Sequence, residues 1–157
     1  GADNSVKVVE FNCRLGDPET QPILLRLQSS LLPLFEHSIA GTLDQAEAKW
    51  DPRVALGVVL AAAHYPATPR LSDEIHGLPT ITKVAESNAA HVFHAGTREK
   101  DGKIVSSGGR VLCVTALGEN VEQAQKNAYK ALAEIHFDGM QYRRDIGHRA
   151  LKTRSAS

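Results

Sequence analysis

Apolar and polar positions alternate at the start of the chain as they do along a β-strand with one buried face. Over residues 8–15, every second side chain is apolar, namely Val9, Phe11, Cys13 and Leu15. Because side chains alternate with a period of two, the opposite face carries an acid, an amide and a guanidinium in one row, namely Glu10, Asn12 and Arg14. No earlier segment is available to pair with this predicted strand, so we expect its neighbours to belong to a larger sheet outside this chain.

A helical period follows the predicted strand. Asp17 and Pro18 form a typical helix start, with the aspartate as the cap and the proline at the first helical position. Apolar side chains then recur at helical spacing, namely Ile23, Leu24, Leu27, Leu31 and Leu34. The pattern predicts one helix that ends at Gly41, a residue typical of helix stops.

The later part of the chain favours short strands. Residues 53–63 form an apolar run whose β-branched content indicates a buried strand, although the pattern alone leaves an alanine-rich helix open. Residues 64–79 contain three prolines and are interpreted as a loop. Three further strands are predicted, at 91–96, 103–107 and 110–118. The Asp101–Gly102 pair predicts a tight turn between the first two of these.

One more helix is predicted after the last strand. Asn120 can cap it, with Gln123 three residues on, and the apolar stripe consists of Val121, Ala124, Ala128, Leu132 and Ile135. The basic segment from residue 143 onwards is expected to fray into a polar tail. The chain is therefore predicted to be α+β.

Composition narrows the class of protein. The 157 residues carry 18 basic and 18 acidic side chains, so no overall field favours nucleic acid or an anionic membrane. Residues 1–78 have a net charge of −4 and residues 79–157 of +4, which suits two docking halves or an anion-handling second half. Cys13 and Cys113 are far apart in apolar runs, which predicts reduced core thiols and no zinc site. With no export leader and no run long enough to cross a bilayer, we expect a cytoplasmic protein.

The polar row of the opening strand has two interpretations. Glu10 and Asn12 offer hard oxygen ligands about 7 Å apart on one face, and magnesium takes one or two such ligands beside water and phosphate. Arg14 could meet a phosphoryl or carboxylate charge. The alternative is an ordinary solvated strand face, and the spacing alone does not decide between them.

A second candidate site is the segment S-S-G-G-R, residues 106–110. Its two glycines, with free backbone N–H groups before Arg110, could form an anion-holding turn. A plain hairpin turn is the alternative interpretation.

Several motifs together carry a resemblance to a known family. They are E-F-N-C-R-L-G-D-P-E-T-Q-P, W-D-P-R-V-A-L-G-V-V-L-A-A, H-Y-P, D-E-I-H-G-L, V-F-H-A-G-T, S-G-G-R-V-L-C-V-T-A-L-G and D-I-G-H-R-A. In this order they resemble the carboxy-terminal portion of the phosphoribosylamine–glycine ligase family, within the ATP-grasp superfamily. The resemblance covers essentially the whole chain, and the family's enzymes are nearly three times as long.

The resemblance implies a fold and a reaction. Residues 1–40 would be the end of the ATP-grasp domain and its sheet. Residues 41–157 would be a small β-rich, barrel- or sandwich-like carboxy-terminal domain with a packed helix. The implied reaction joins glycine to 5-phosphoribosylamine through glycyl phosphate in purine biosynthesis, with ATP as co-substrate and Mg²⁺ or Mn²⁺ as cofactor. We expect a monomer without nucleic-acid or membrane partners, and we expect this chain alone to be inactive.

The resemblance also implies roles for single residues. Glu10 and Asn12 stand where the family holds the metal bound to ATP, and Arg14 stands where it suits a phosphate or acyl-phosphate oxygen. Asp17 stands beside the substrate pocket, although a helix-cap role would explain it equally well. Gly109 and Arg110 correspond to a glycine–arginine pair that related ATP-grasp purine enzymes use for the ribose phosphate.

Two other functions stay open at this point. One is a non-catalytic interaction module that keeps the ligase fold. The other is an ATP-grasp carboxylase or ligase of purine or biotin metabolism, against which the G-D-P-E-T-Q segment, residues 16–21, argues.

Overall fold

The computed structural model describes residues 8–11, 13–79 and 90–152. Its helices are α1 (Thr20–Arg26), α2 (Leu32–Ala40), α3 (Val121–Leu132) and α4 (His148–Lys152), with a 3₁₀ turn at Leu43–Gln45. Its strands are β1 (Val54–Ala61), β2 (Ala90–His94), β3 (Thr97–Lys100), β4 (Lys103–Ser106) and β5 (Arg110–Gly118). The chain is a mixture of helices and small antiparallel sheets, as the α+β prediction requires.

The main sheet has three strands in the order β1–β5–β2, and both pairings are antiparallel. β5 is the central strand, and all of its residues after Arg110 are buried. Helix α3 covers one face of this sheet, where the fully buried side chains include Leu60, Leu112 and Val114. Burial of such apolar side chains is the main stabilising contribution in a domain of this size.

Helix α1 covers the opposite face of the sheet. The approach is close at Gly57, where a Cβ would lie 3.2 Å from Cys113 Sγ and 3.3 Å from Pro22 Cγ. The junction between α1 and β1 is fixed by Asp51, whose buried carboxylate accepts hydrogen bonds from the Arg53 side chain at 2.7 and 3.0 Å. These hydrogen bonds lower the pKa of Asp51 to about 2. The Arg26 side chain of α1 donates to the Asp51 carbonyl at 3.0 and 3.1 Å, which joins the helix to the segment before β1.

Three local predictions are confirmed. Asn120 caps α3, since its Oδ1 accepts a hydrogen bond from the Gln123 N–H at 2.9 Å. Gly41 ends α2 in the left-handed conformation, with φ of 70°. Residues 54–61 form a strand and not an alanine-rich helix.

The opening strand is not present as predicted. Residues 8–11 and 13–15 form no strand, and the side chains of Val9 and Phe11 are exposed. A strand needs a hydrogen-bonded partner, and none of the described residues pairs with this segment. The prediction that both cysteines are core thiols is wrong for Cys13, which is exposed, whereas Cys113 is buried and its burial raises the thiol pKa.

The single first helix is also wrong, because it divides into α1 and α2. At the break, Leu27 forms an antiparallel bridge with Trp50, and the Asp51 N–H donates to the Arg26 carbonyl at 2.7 Å. Helix α1 begins at Thr20 without a side-chain cap, so the predicted start at Asp17 and Pro18 is not observed.

Two smaller corrections concern the later elements. The Asp101–Gly102 turn joins β3 to β4 in a separate two-stranded sheet, and β3 was not predicted. The basic segment near the end contains the short helix α4. Among the described residues, no helix is long and apolar enough to cross a membrane.

Candidate functional site

Arg110 is the first residue of the central strand β5, and it lies at the end of the main sheet. It is opposite Ala61, the last residue of β1, at a point where the register between the two strands shifts. Its carbonyl group is fixed at the end of the sheet, where it accepts a hydrogen bond from the Gly96 N–H at 2.8 Å. The strand therefore presents the long Arg110 side chain at the rim of the sheet, where it is 40% exposed.

The Arg110 guanidinium is held from two sides. Its Nε donates to the Tyr65 hydroxyl at 3.0 Å. Its Nη1 donates to the Asp17 carbonyl at 3.0 Å and lies 2.9 Å from the Asp17 carboxylate. The hydrogen bond to Tyr65, followed by those to Asp17, raises the pKa of Arg110 further above its usual range, so the side chain is a permanent cation.

The absence of a side chain at Gly109 is explained by its close contact with the ring of Tyr65. A Cβ at this position would lie 2.6 Å from Tyr65 Cδ2, 3.0 Å from Tyr65 Cε2 and 3.2 Å from Pro69 Cγ. The Gly109 carbonyl accepts from the Ala62 N–H at 2.9 Å, which ties the glycine to the end of β1. The missing side chain thus makes room for the Tyr65 ring.

The neighbouring Ser106 has a structural role. Its side chain is fully buried, and its Oγ accepts from the Asp73 N–H at 3.0 Å. The backbone of Ser106 also bonds to residues 72 and 73 on both sides. Within the S-S-G-G-R segment, Arg110 is therefore the residue whose charged side chain could contact a ligand.

A cavity of about 490 Å³ opens beside Tyr65 and Arg110. One wall is β1, with Gly57 and Val59, and another is Pro18. The third wall is the segment of residues 141–146, in which Arg143 is paired with the Asp145 carboxylate at 2.7 Å. The cavity is thus mainly apolar with cationic groups at its rim, which is typical of sites for small ligands with one charged end.

The structure brings together three of the six predicted site residues and not the others. Asp17, Gly109 and Arg110 lie at one end of the main sheet, although 93 residues separate Asp17 from Arg110. Arg14 is exposed, and its Nη1 donates to the adjacent Leu15 carbonyl at 3.1 Å. Glu10 is exposed and has no polar partner among the described residues, and Asn12 lies outside them.

No cluster of three or more His, Cys, Asp or Glu side chains that could hold a metal ion occurs within residues 8–11, 13–79 and 90–152. Glu10 is consistent with a metal that takes one or two protein oxygens and completes its shell elsewhere, because its carboxylate is exposed and unpaired among the residues described. Its role stays a prediction.

Tyr65 is the residue that the sequence analysis missed. It stands in the H-Y-P stretch, which the sequence analysis interprets as a loop and a family motif without a site role, and no spacing connects it to Arg110, 45 residues later. The one available signal was an aromatic residue with a polar tip in a loop rich in proline, a weak indication by itself.

The structure is an α+β domain with a cavity at the end of its main sheet, beside an arginine that Tyr65 and Asp17 hold in place. Comparison with known proteins then gives the family. Residues 55–149, which are more than half of the chain, match the model of the family described as "Phosphoribosylglycinamide synthetase, C domain". The chain belongs to this family.

Curated relatives agree with that assignment. A phosphoribosylamine–glycine ligase of Ralstonia nicotianae is 52% identical over 96% of this chain and 35% of its own length. The ligase of Vibrio cholerae is 54% identical over 96% of this chain and 34% of its length. A crystal structure of the Thermotoga maritima ligase matches with a TM-score of 0.67 and 37% identity, over 88% of this chain and 33% of that one. The chain therefore spans about a third of the length of the relatives it matches.

Proposed function

We propose that this chain acts as the carboxy-terminal part of a phosphoribosylamine–glycine ligase. In this function, ATP phosphorylates the carboxylate of glycine, and the amine of 5-phosphoribosylamine attacks the resulting glycyl phosphate. The product is an amide, formed in purine biosynthesis. The observation that carries the proposal is the 52–54% identity to such ligases over 96% of the chain.

The extent of these alignments supports the proposal beyond the family domain. The alignment with the Ralstonia relative runs over 151 of the 157 residues, so it includes the opening segment with Glu10 and Arg14. That segment lies outside the matched family domain at 55–149. We therefore propose that residues 1–40 complete an ATP-grasp domain, and that residues 41–157 form the ligase's carboxy-terminal domain.

Within this function, Glu10 and Asn12 would hold Mg²⁺ or Mn²⁺. The metal would neutralise charge on the phosphates of ATP, which is the main requirement of phosphoryl transfer. The exposed Glu10 carboxylate has no protein cation to compete for it among the described residues. Arg14 would contact the acyl phosphate. Among the described residues, its guanidinium would have to give up only its hydrogen bond to the Leu15 carbonyl.

Arg110 would bind the phosphoribosyl substrate, with Gly109 and Asp17 beside it. The hydrogen-bonded cation and its 490 Å³ cavity support this role. The Asp17–Arg110 ion pair joins the two proposed domains, so the substrate site would lie where they meet. We also propose that the complete protein is a cytoplasmic monomer.

The test uses the complete protein that contains this chain. ADP release should require glycine, 5-phosphoribosylamine and Mg²⁺ together, and omission of any one should abolish it. ADP release that depends on bicarbonate in place of glycine would instead favour a carboxylase. Failure of all these combinations would contradict the ligase proposal.

A further inference from the structure

The Tyr65 hydroxyl and Arg110 Nη2 are two hydrogen-bond donors that nothing else in the described structure uses. Arg110 donates through Nε and Nη1, to Tyr65 and Asp17, and its Nη2 has no acceptor among the described residues. The Tyr65 hydroxyl accepts from Arg110 Nε, so its own proton is left to donate, and no described residue accepts it. Both side chains line the 490 Å³ cavity.

We infer that Tyr65 is a ligand-binding residue, and that its hydroxyl and Arg110 Nη2 together hold one phosphate monoester group. This inference rests on the proposed function for the identity of the ligand, the 5-phosphate of a phosphoribosyl compound. It assigns to Tyr65 a contact that the sequence did not indicate. The two donors are adjacent because one hydrogen bond of 3.0 Å joins them.

The position of the tyrosine is fixed, which a donor to a ligand requires. Its ring packs on Gly109 so closely that a Cβ there would lie 2.6 Å away. Its backbone N–H donates to the Ala62 carbonyl at 3.2 Å, one residue beyond the end of β1. The ring is therefore held by Gly109 and by the backbone bond to Ala62, and little motion needs to be frozen when a ligand binds.

The arrangement of the two donors suits a phosphate. Asp17 lies 2.9 Å from Arg110 Nη1 and Asp145 pairs with Arg143, so the attraction of this site for an anion comes from the free Nη2 and hydroxyl donors and not from a net positive charge. A phosphate monoester has a charge of about −1.5 to −2 at neutral pH and three acceptor oxygens, so it can use both donors at once. The apolar wall formed by Gly57, Val59 and Pro18 would contact the carbon skeleton.

Calorimetric titration of the purified chain with ribose 5-phosphate, and separately with ribose, tests the inference. We expect ribose 5-phosphate to bind and ribose to bind much more weakly. Tyr65→Phe keeps the ring on Gly109 and removes only the hydroxyl, and it should weaken ribose 5-phosphate about ten- to a hundredfold, as expected for a hydrogen bond to a charged group. Thr42→Val is the matched control, because it also removes one hydroxyl group but lies outside the cavity, where its Oγ1 contacts His37, and its affinity should equal that of the unmodified chain.

Three results would overturn the inference: no binding of ribose 5-phosphate, equal affinity for ribose, or equal affinity of the Tyr65→Phe and Thr42→Val variants. Thermal unfolding of each variant confirms that it is folded. The titration contains neither ATP nor glycine, so its failure is distinct from failure of the ligase proposal, which is judged by ADP release from the complete protein.

Discussion

Gly109→Ala separates two roles for this glycine, packing against Tyr65 and direct contact with a ligand. The new methyl group would lie 2.6 Å from Tyr65 Cδ2 and 3.2 Å from Pro69 Cγ. Ordinary carbon contacts begin near about 3.5 Å, so the ring must retreat by roughly 0.9 Å. A shift of that size lengthens the 3.0 Å bond between Arg110 Nε and the Tyr65 hydroxyl beyond hydrogen-bonding range.

The magnitude follows from three contributions. Overpacking of this kind costs about 1–3 kcal/mol, and the partial exposure of Tyr65 places it at the low end. Loss of a hydrogen bond between polar groups near the surface adds about 0.5–1.5 kcal/mol. Alanine restricts the unfolded chain and returns about 0.4–1 kcal/mol, since Gly109 does not need a positive φ. The net loss is about 1–2 kcal/mol, which lowers the Tm of a chain of this length by roughly 2–8 °C.

Thermal unfolding of four proteins measures this effect: the unmodified chain, Gly109→Ala, Tyr65→Ala and the double variant. In the Tyr65→Ala background the ring is absent, so Gly109→Ala should cost less than about 0.5 kcal/mol. The coupling between the two changes is the measured quantity. Equal costs of Gly109→Ala in both backgrounds, or an unchanged Tm with lost ribose 5-phosphate binding, would refute the packing role and favour direct ligand contact.

Three further predictions follow from other residues. In the complete ligase, Glu10→Gln should lower Mg²⁺-dependent turnover about 10²–10³-fold and leave Tm unchanged, whereas near-equal turnover would exclude a metal-ligand role. This chain alone should release no ADP that depends on glycine and 5-phosphoribosylamine, because it offers at most Glu10 and Asn12 to the metal. The hydrogen bonds that lower the pKa of Asp51 to about 2 stabilise the fold above about pH 4, and this contribution is lost as the pH falls from about 4 to about 2. The difference in Tm between the unmodified chain and Asp51→Asn should therefore narrow over that interval. A constant difference would contradict the prediction.

The sequence predicted elements well where one local rule was sufficient. The Asn120 cap requires only a side-chain oxygen three residues before a backbone N–H that lacks a partner. The helix end at Gly41 requires only a residue without a Cβ, which can adopt the left-handed conformation. The central strand is apolar at almost every position because helices cover both faces of its sheet, and such a run is visible without any partner.

The prediction failed where distant backbone decided the outcome. The apolar spacing through Leu27 continues without interruption, so periodicity predicts one helix. In the structure, Leu27 bridges to Trp50 and Arg26 accepts from the Asp51 N–H, and these bonds compete with the helical ones. Asp51 can hold this position because its carboxylate is bonded to Arg53. The sequence of residues 23–34 does not indicate that residues 50 and 51, more than 20 positions after Leu27, form hydrogen bonds at this point.

The candidate site also depends on contacts between residues that are far apart in the sequence, and Asp17 shows this most clearly. An aspartate before a proline and an apolar helical period is a good cap by composition, yet its carboxylate lies 2.9 Å from Arg110 and α1 starts at Thr20 without a side-chain cap. A cap contributes about 1 kcal/mol, and an exposed ion pair of this kind contributes about 0–1 kcal/mol, so stability alone gives no strong reason for the choice. The ion pair and the Tyr65 hydroxyl together fix Nε and Nη1 of the guanidinium, and Nη2 has no acceptor in the part of the chain that the structure describes. The proposed role of Arg110 in binding a ligand gives a reason for this arrangement, which costs only a little stability at the start of the helix.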